Sequence, residues 1–305
     1  MTASTFVLHP IPPFSLDLTA WALRRRPNNT IDRWDGRTYS RTIAVGHHAV
    51  DVDGTQAGRA LHVTISGGPI TAATRAAARA TLVRALGLDL DLTAFYRMAK
   101  HDRRLAPLVA RFRGVKPPRF PSVFEALVNG IACQQLSLTV GIILLGRLAE
   151  RCGLRSKRGN LAFPRPRDVA TLAPGQVHAL GFTRAKSHAL VELARAAETG
   201  LDLEALAALP DADVLAQLVA LRGVGRWTAE YVLLRGLGRL TMFPGDDVGA
   251  RTNLARWMKL REPLDYDSVR RLARRWQPYA GFLYFHLLLQ SLDEAGRLTP
   301  GAPAR

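Results

Sequence analysis

Cysteine is nearly absent: Cys133 and Cys152 are the only two among 305 residues. Two thiols build neither a disulfide framework nor a four-cysteine metal cluster. The eight histidines are scattered, and His47-His48 has no partners at ligand spacing, so no metal site is expected. No stretch approaches the ~18 consecutive apolar residues of a transmembrane helix, so no membrane partner is expected. The opening MTASTFVLHPIPPF lacks the charged-then-apolar layout of a signal peptide, and a cytoplasmic location is expected. Phosphate-binding glycine fingerprints are missing as well, since Gly67-Gly68 starts neither a P-loop nor a dinucleotide pattern. Acidic residues are short in supply: 25 Asp and Glu face 42 Lys and Arg, for a net charge of +17. Lysine is scarce too, only five of those 42. An excess of this sign favours a polyanionic partner, most simply nucleic acid.

What is present divides into two compositions. With 48% apolar residues the chain can bury one large core or two to three small ones. Tyr39–Val45, Ala49–Asp53 and Ala60–Ser66 alternate with period two and carry β-branched residues, which predicts an antiparallel sheet. Thr71–Leu86, closed by Gly87, reads as an Ala-rich helix, with shorter helices around Leu92–Ala99 and Arg103–Arg111. The run Lys116-Pro-Pro-Arg-Phe-Pro121 marks a boundary. Beyond it Ser122 and Glu125 have capping-box spacing, and helices are expected at Leu138–Cys152, Pro174–Leu180, Arg184–Thr199, Leu203–Leu209, Asp267–Gln277 and Tyr279–Glu294. The expected fold is therefore α+β: a small antiparallel-sheet domain over residues 1–115, then a larger all-α domain over 122–298, in two lobes. The tail Thr299–Arg305 is expected to be disordered.

The chain is organised around Leu215–Leu254. Leu215, Leu218, Val219 and Leu221 follow a helical period, Arg222-Gly223-Val224-Gly225 breaks it, and Thr228, Ala229, Tyr231, Val232 and Leu234 resume it. A glycine hairpin between packed helices leaves backbone N–H groups without partners at the second helix's N-terminus. With the helix dipole behind them, those donors suit a phosphate oxygen. Gly-x-Gly also occurs in ordinary helical turns, so the hairpin alone decides little. Its sequel adds more: twenty positions after Trp227, Asp246-Asp247 opens a further helix carrying Val248, Arg251 and Leu254. Aspartates at such a place either cap the helix or present a carboxylate that stabilises a cation.

The run Leu221-Arg-Gly-Val-Gly-Arg-Trp-Thr-Ala-Glu-Tyr, followed by Phe243-Pro-Gly-Asp-Asp, resembles the helix-hairpin-helix DNA glycosylases with a Gly/Pro-rich loop and catalytic aspartate. Within them it is most similar to the DNA-3-methyladenine glycosylase II branch. Phe14–Leu23 followed by Arg24-Arg-Arg resembles the N-terminal domain of that branch, although Arg24–Arg26 also reads as a solvated turn. The resemblance implies a helix-hairpin-helix glycosylase domain and a monofunctional enzyme, expected to act as a monomer. It would excise alkylated purines from double-stranded DNA in base excision repair, without a cofactor. A bifunctional glycosylase/lyase and a non-catalytic DNA-binding protein are the alternatives.

Site residues follow from the same resemblance. Arg222, Gly223, Val224, Gly225, Arg226 and Thr228 would hold the DNA backbone, with a monovalent cation on main-chain carbonyls near Val219, Leu221 and Gly223. Gln135 or Leu136, between two apolar helices, would be the wedge that fills the gap left by an extruded base. Trp227 and Tyr231 share a helix face at i, i+4, a spacing common in cores. The resemblance places them in the lesion pocket, where a cationic purine stacks well on an aromatic ring. Leu288 stands where near relatives carry a pocket tryptophan, and Trp21 would lean in from the first domain. The catalytic carboxylate is Asp247, with an inward Arg251 at i+4 and Asp246 as the helix N-cap. His286, on an apolar helix, reads as a core histidine.

Overall fold

The period-two alternation becomes five antiparallel strands in the computed structural model, which describes residues 3–298. They are β1 (Ser4–Leu8), β2 (Arg33–Trp34), β3 (Thr38–Val45), β4 (His48–Ala57) and β5 (Ala60–Ser66), in spatial order β1-β5-β4-β3-β2. The edge strands β1 and β2 were not foreseen: one is five residues long and the other two, too short for a periodic signal. Val50, Val52, Leu61, Val63 and Ile65 bury one face of the sheet against α1 (Leu16–Arg24) and α2 (Ala72–Leu86). Gly87 ends α2 in the left-handed region, as the sequence predicts, and Thr71, expected as its first residue, is its N-cap.

From Ser122 onward the described residues form ten α-helices: α5 (Val123–Cys133), α6 (Leu138–Cys152), α7 (Pro166–Ala170), α8 (Pro174–His178), α9 (Arg184–Glu198), α10 (Asp211–Val219), α11 (Arg226–Arg235), α12 (Val248–Met258), α13 (Tyr266–Ala273) and α14 (Ala280–Glu294). They follow α3 (Thr93–Lys100) and α4 (Leu105–Arg111). The expected helix at Leu203–Leu209 is a 3-10 turn, Glu204–Ala208, and α7 was not foreseen. The tail Thr299–Arg305 lies outside the described residues.

Two helical cores form the lobes. One joins α5, α6, α9, α10 and the first part of α11. The other joins Phe95, Leu105, Leu108, Phe112 and Val115 of the N-terminal segment to α12, α13 and α14. The domain cut expected at residue 115 therefore does not separate cores. The apolar faces of α3 and α4 are not covered by the sheet and are buried instead against Phe282 and its neighbours on α14.

The partition between the lobes is α11, which is buried without interruption from Thr228 to Arg235. Leu233 belongs to one core and Leu234 to the other. Helix α5 approaches it so closely that a Cβ on Gly130 would lie 2.7 Å from Thr228 Cγ2. The sheet is tied to this bundle by buried Arg41, whose guanidinium pairs with Asp32 at 2.7 Å and Glu125 at 2.6 Å. Glu125 is thereby taken from the capping box. Ser122 Oγ still accepts the Glu125 N–H at 3.1 Å, but the reciprocal half of the box is not made.

Candidate active site

The hairpin turns where glycine permits it. Gly223 has φ +77°, and a Cβ there would lie 2.7 Å from the Ala189 methyl. Gly225 caps α11, and a Cβ there would meet nothing within 4 Å, so the approach to the helix N-terminus is open. The Ala229 N–H returns to the Gly225 carbonyl at 3.0 Å, leaving the first-turn amides Arg226, Trp227 and Thr228 without a backbone acceptor. Val224 plays a different part from the one expected. Its N–H is spent on the Leu221 carbonyl at 3.1 Å and its side chain is in the core, so it anchors the turn. The Thr228 hydroxyl accepts from Gln134, and the residue is buried. Arg222 pairs with Glu192, and Arg226 lies 3.7 Å above the Tyr266 ring. The Leu221 and Gly223 carbonyls accept one hydrogen bond each, from Val224 N–H and Gln134 Nε2. Each keeps a lone pair of the kind a monovalent cation takes.

One turn into α11 the two lobes part around a cavity of about 1250 Å3. Trp227 and Tyr231 stack on its wall, ring centroids 5.5 Å apart and planes 28° from parallel. Asp247, Tyr284 and Leu288 line it from the second lobe, and Gln135 and Leu136 stand at its rim. Gln135 has a left-handed backbone, φ 53°, and both rim side chains are exposed. Burial pushes the Tyr231 and Tyr284 hydroxyls upward in pKa, so both stay protonated and neutral.

The two aspartates separate, though not as expected. Asp247 is itself the N-cap of α12: Oδ1 accepts the Ala250 N–H at 2.8 Å, while Oδ2 lies 3.3 Å from Trp227 Nε1 on the cavity side. Asp246 does not cap the helix; it faces the surface and pairs with Arg226 at 2.7 Å. The physical reason is the ~100° turn between successive helical residues, which lets only one carboxylate reach α12's free amides. Arg251 is half-buried and does not line the cavity; its N–H bonds to the Asp247 carbonyl at 2.8 Å.

Trp21 is also corrected. It is buried in the second lobe's core, with the Arg24 guanidinium 5.1 Å from its ring, and does not reach the cavity. Its position on α1 points it at α14, whose apolar face covers it. His286 is a core residue, as expected. It is fully buried, its Nδ1 donates to the Phe282 carbonyl at 2.9 Å, and burial lowers its pKa to about 4.

Four supporting residues were not legible as such. Gln134 Nε2 reaches both the Gly223 carbonyl and Thr228 Oγ1 at 2.8 Å, fastening the rim loop to the hairpin. Lys186 Nζ holds the same loop through the carbonyls of Ala132, at 3.0 Å, and Gln134, at 2.6 Å. Glu230 accepts from the Gly245 N–H at 3.0 Å and the Tyr266 hydroxyl at 2.6 Å, fixing the segment that delivers Asp247. Arg25, from the triple arginine, is buried and donates to the Tyr231 hydroxyl at 2.7 Å. The first three touch partners 15 to 94 positions away, and Arg25 touches one 206 away. No local pattern announces such pairs.

Two family models match the chain, one in each part. Residues 128–278 match the HhH-GPD superfamily base excision DNA repair proteins, and residues 5–122 match the AlkA N-terminal domain. The chain belongs to the HhH-GPD superfamily of base excision DNA repair proteins. Within it, the chain is 32% identical over 208 residues to a DNA-3-methyladenine glycosylase of Bacillus subtilis, covering 66% of this chain and 69% of that one. It is 27% identical over 284 residues to DNA-3-methyladenine glycosylase 2 of Escherichia coli, covering 90% and 94%. A solved structure of the 3-methyladenine DNA-glycosylase from Archaeoglobus fulgidus superposes with TM-score 0.82 at 27% identity, over 95% of this chain and 98% of that one. Among the described residues, no helix is long and apolar enough to cross a membrane, and no group of three or more His, Cys, Asp or Glu is placed to hold a metal.

Proposed function

We propose that this chain is a monofunctional DNA glycosylase that hydrolyses the N-glycosidic bond of alkylated purines flipped out of duplex DNA. A base inside a duplex must leave the stack before its glycosidic bond is reachable, at a cost of a few kcal/mol. The hairpin amides at Arg226–Thr228 would hold a phosphate without reading sequence. Gln135 and Leu136 on the rim would occupy the vacated stack. The extruded base would lie against Trp227 and Tyr231, with Leu288 making that wall less aromatic than a tryptophan would. Cleavage develops positive charge on the sugar. Asp247 Oδ2 faces the cavity while Oδ1 is fixed by α12, so the carboxylate meets that charge without reorganising. Water completes the hydrolysis.

The observation that carries this reading is the Asp247 carboxylate held at a helix N-terminus beside the stacked Trp227–Tyr231 pair. A DNA-binding protein without chemistry has no use for a carboxylate that repels phosphate. A lyase needs an amine, and no lysine lines the cavity among the described residues. Duplex oligonucleotides, each with one lesion, test the reading by scoring alkali-labile sites. Alkali-labile product from at least one alkylated purine is expected. Intact strands throughout the panel at saturating protein would overturn it.

A further inference from the structure

Tyr284 brings a hydroxyl to the cavity from the second lobe. It lies one turn into α14 and lines the same space as Trp227, Tyr231 and Asp247. Its ring stands edge-on to Phe243, centroids 6.0 Å apart, and to Phe285, 5.4 Å apart, so only 8% of the residue is exposed. The hydroxyl is hydrogen-bonded to no described residue. It is still not one of the enclosed polar atoms, as Nε and Nη1 of Arg235 are, so its oxygen keeps access to the cavity that the residue lines. The charges acting on it are Asp247, then Arg235 and Arg25. Both Asp247 oxygens already have donors, Ala250 N–H and Trp227 Nε1, and a guanidinium never accepts a hydrogen bond. Burial and, after it, the Asp247 charge push the hydroxyl pKa up, so the hydrogen stays on the oxygen and is free to be donated.

Breaking the glycosidic bond sends its electron pair to the base nitrogen and leaves the sugar positive. A cationic N-alkylated purine then departs neutral, and the positive charge only moves from base to sugar, under the attraction of Asp247 throughout. A neutral purine departs as an anion, which the same carboxylate repels. That anion needs a donor, and an uncharged O–H supplies one without repelling a cationic base. A hydrogen bond that strengthens as the anion develops is worth roughly ten- to a hundredfold in rate. Water then gives its hydroxide to the sugar and its proton to the departed base, so no other reactant is required.

We propose that Tyr284 is a catalytic residue whose hydroxyl donates a hydrogen bond to the departing purine, so that the pocket excises neutral alkylated purines as well as cationic ones. This rests on the glycosylase reading and deepens it at the leaving group. Single-turnover excision is measured on duplexes carrying 7-methylguanine (cationic), ethenoadenine (alkylated and neutral) or hypoxanthine (neutral, with the outline of a natural purine). The wild type should excise at least one of the neutral bases. Tyr284→Phe, which keeps the ring against Phe243, should lower the ratio of neutral to cationic rates by roughly tenfold or more. A merely structural role slows all three alike; a ratio left unmoved overturns the proposal. So does a wild type that excises 7-methylguanine and neither neutral base, a result that leaves the glycosylase reading standing. If none of the three is excised, the glycosylase reading itself fails and this proposal falls with it. Where melting curves show Tyr284→Phe unfolded, or 7-methylguanine is not excised, Tyr284→3-fluorotyrosine decides. It keeps the ring and makes the O–H a stronger donor, so excision of the neutral base should rise by roughly twofold or more. An unchanged or lower rate overturns the proposal.

Discussion

Replacing Asp247 with asparagine isolates one charge from everything else that residue does. Asparagine caps helices about as well as aspartate, so its carbonyl oxygen takes over the Ala250 N–H now held at 2.8 Å. Its amide then faces Trp227 Nε1, which sits 3.3 Å from Oδ2, and two donors meet where a donor and an acceptor met before. Losing that hydrogen bond and the charge at the helix N-terminus costs about 1 kcal/mol of stability, or roughly 2–4 °C in melting temperature. The effect on the reaction is far larger. A carboxylate in contact with the sugar, about 4 Å from the developing charge at an effective dielectric near 20, stabilises it by about 4 kcal/mol. Removing that attraction slows bond cleavage by roughly a thousandfold. Single-turnover excision should therefore fall by about three orders of magnitude, while the dissociation constant for the lesion duplex is unchanged or smaller. Asp246→Asn breaks only the exposed pair with Arg226 and should cost less than about 1 kcal/mol with most activity kept. Near wild-type rates in Asp247→Asn, or an equal loss in Asp246→Asn, would refute the assignment.

Alanine at both Gln135 and Leu136 should slow excision from stable pairs more than from mismatched ones, because loose pairs have less stacking to replace; equal slowing reduces the segment to a helix junction. The product should be an intact abasic strand. Lys186, near the rim in space, has its amine on the Ala132 and Gln134 carbonyls, and a covalent adduct trapped by borohydride would contradict monofunctional hydrolysis. His286 makes stability depend on pH. Its pKa is about 4 folded against ~6.5 unfolded, so the unfolded chain binds the extra proton between those values. Stability contributed by neutral His286 is present above pH ~6.5 and falls by about 3 kcal/mol as pH drops toward 4. Denaturant titrations of His286→Leu at pH 7 and 4.5 should show a smaller acid loss than the wild type; parallel losses would contradict it.

Much of the site was legible because its signals are local. The glycine hairpin, the i, i+4 aromatic pair and the aspartates opening α12 each depend on one helix or turn, whose geometry fixes which side chains share a face. The strands β3 to β5 and the helix stop at Gly87 follow for the same reason. Two local rules competed at Asp246-Asp247, where the phase of the first helical turn chose the cap, and spacing alone could not separate an N-cap from its neighbour. What only the tertiary structure decided lies between elements. Trp21 turned into a core because α14 covers it, and Val224 became an anchor because the first lobe closes over it. The second lobe joins residues 92–115 to residues 234–292, so a linker rich in proline did not mark the edge of a core. Arg25 meets Tyr231 across 206 positions, and it is burial that converts one member of an arginine run from a solvated turn residue into a charge lining the cavity. Burial of a charge depends on every element packed around it, and no single stretch of sequence carries that sum.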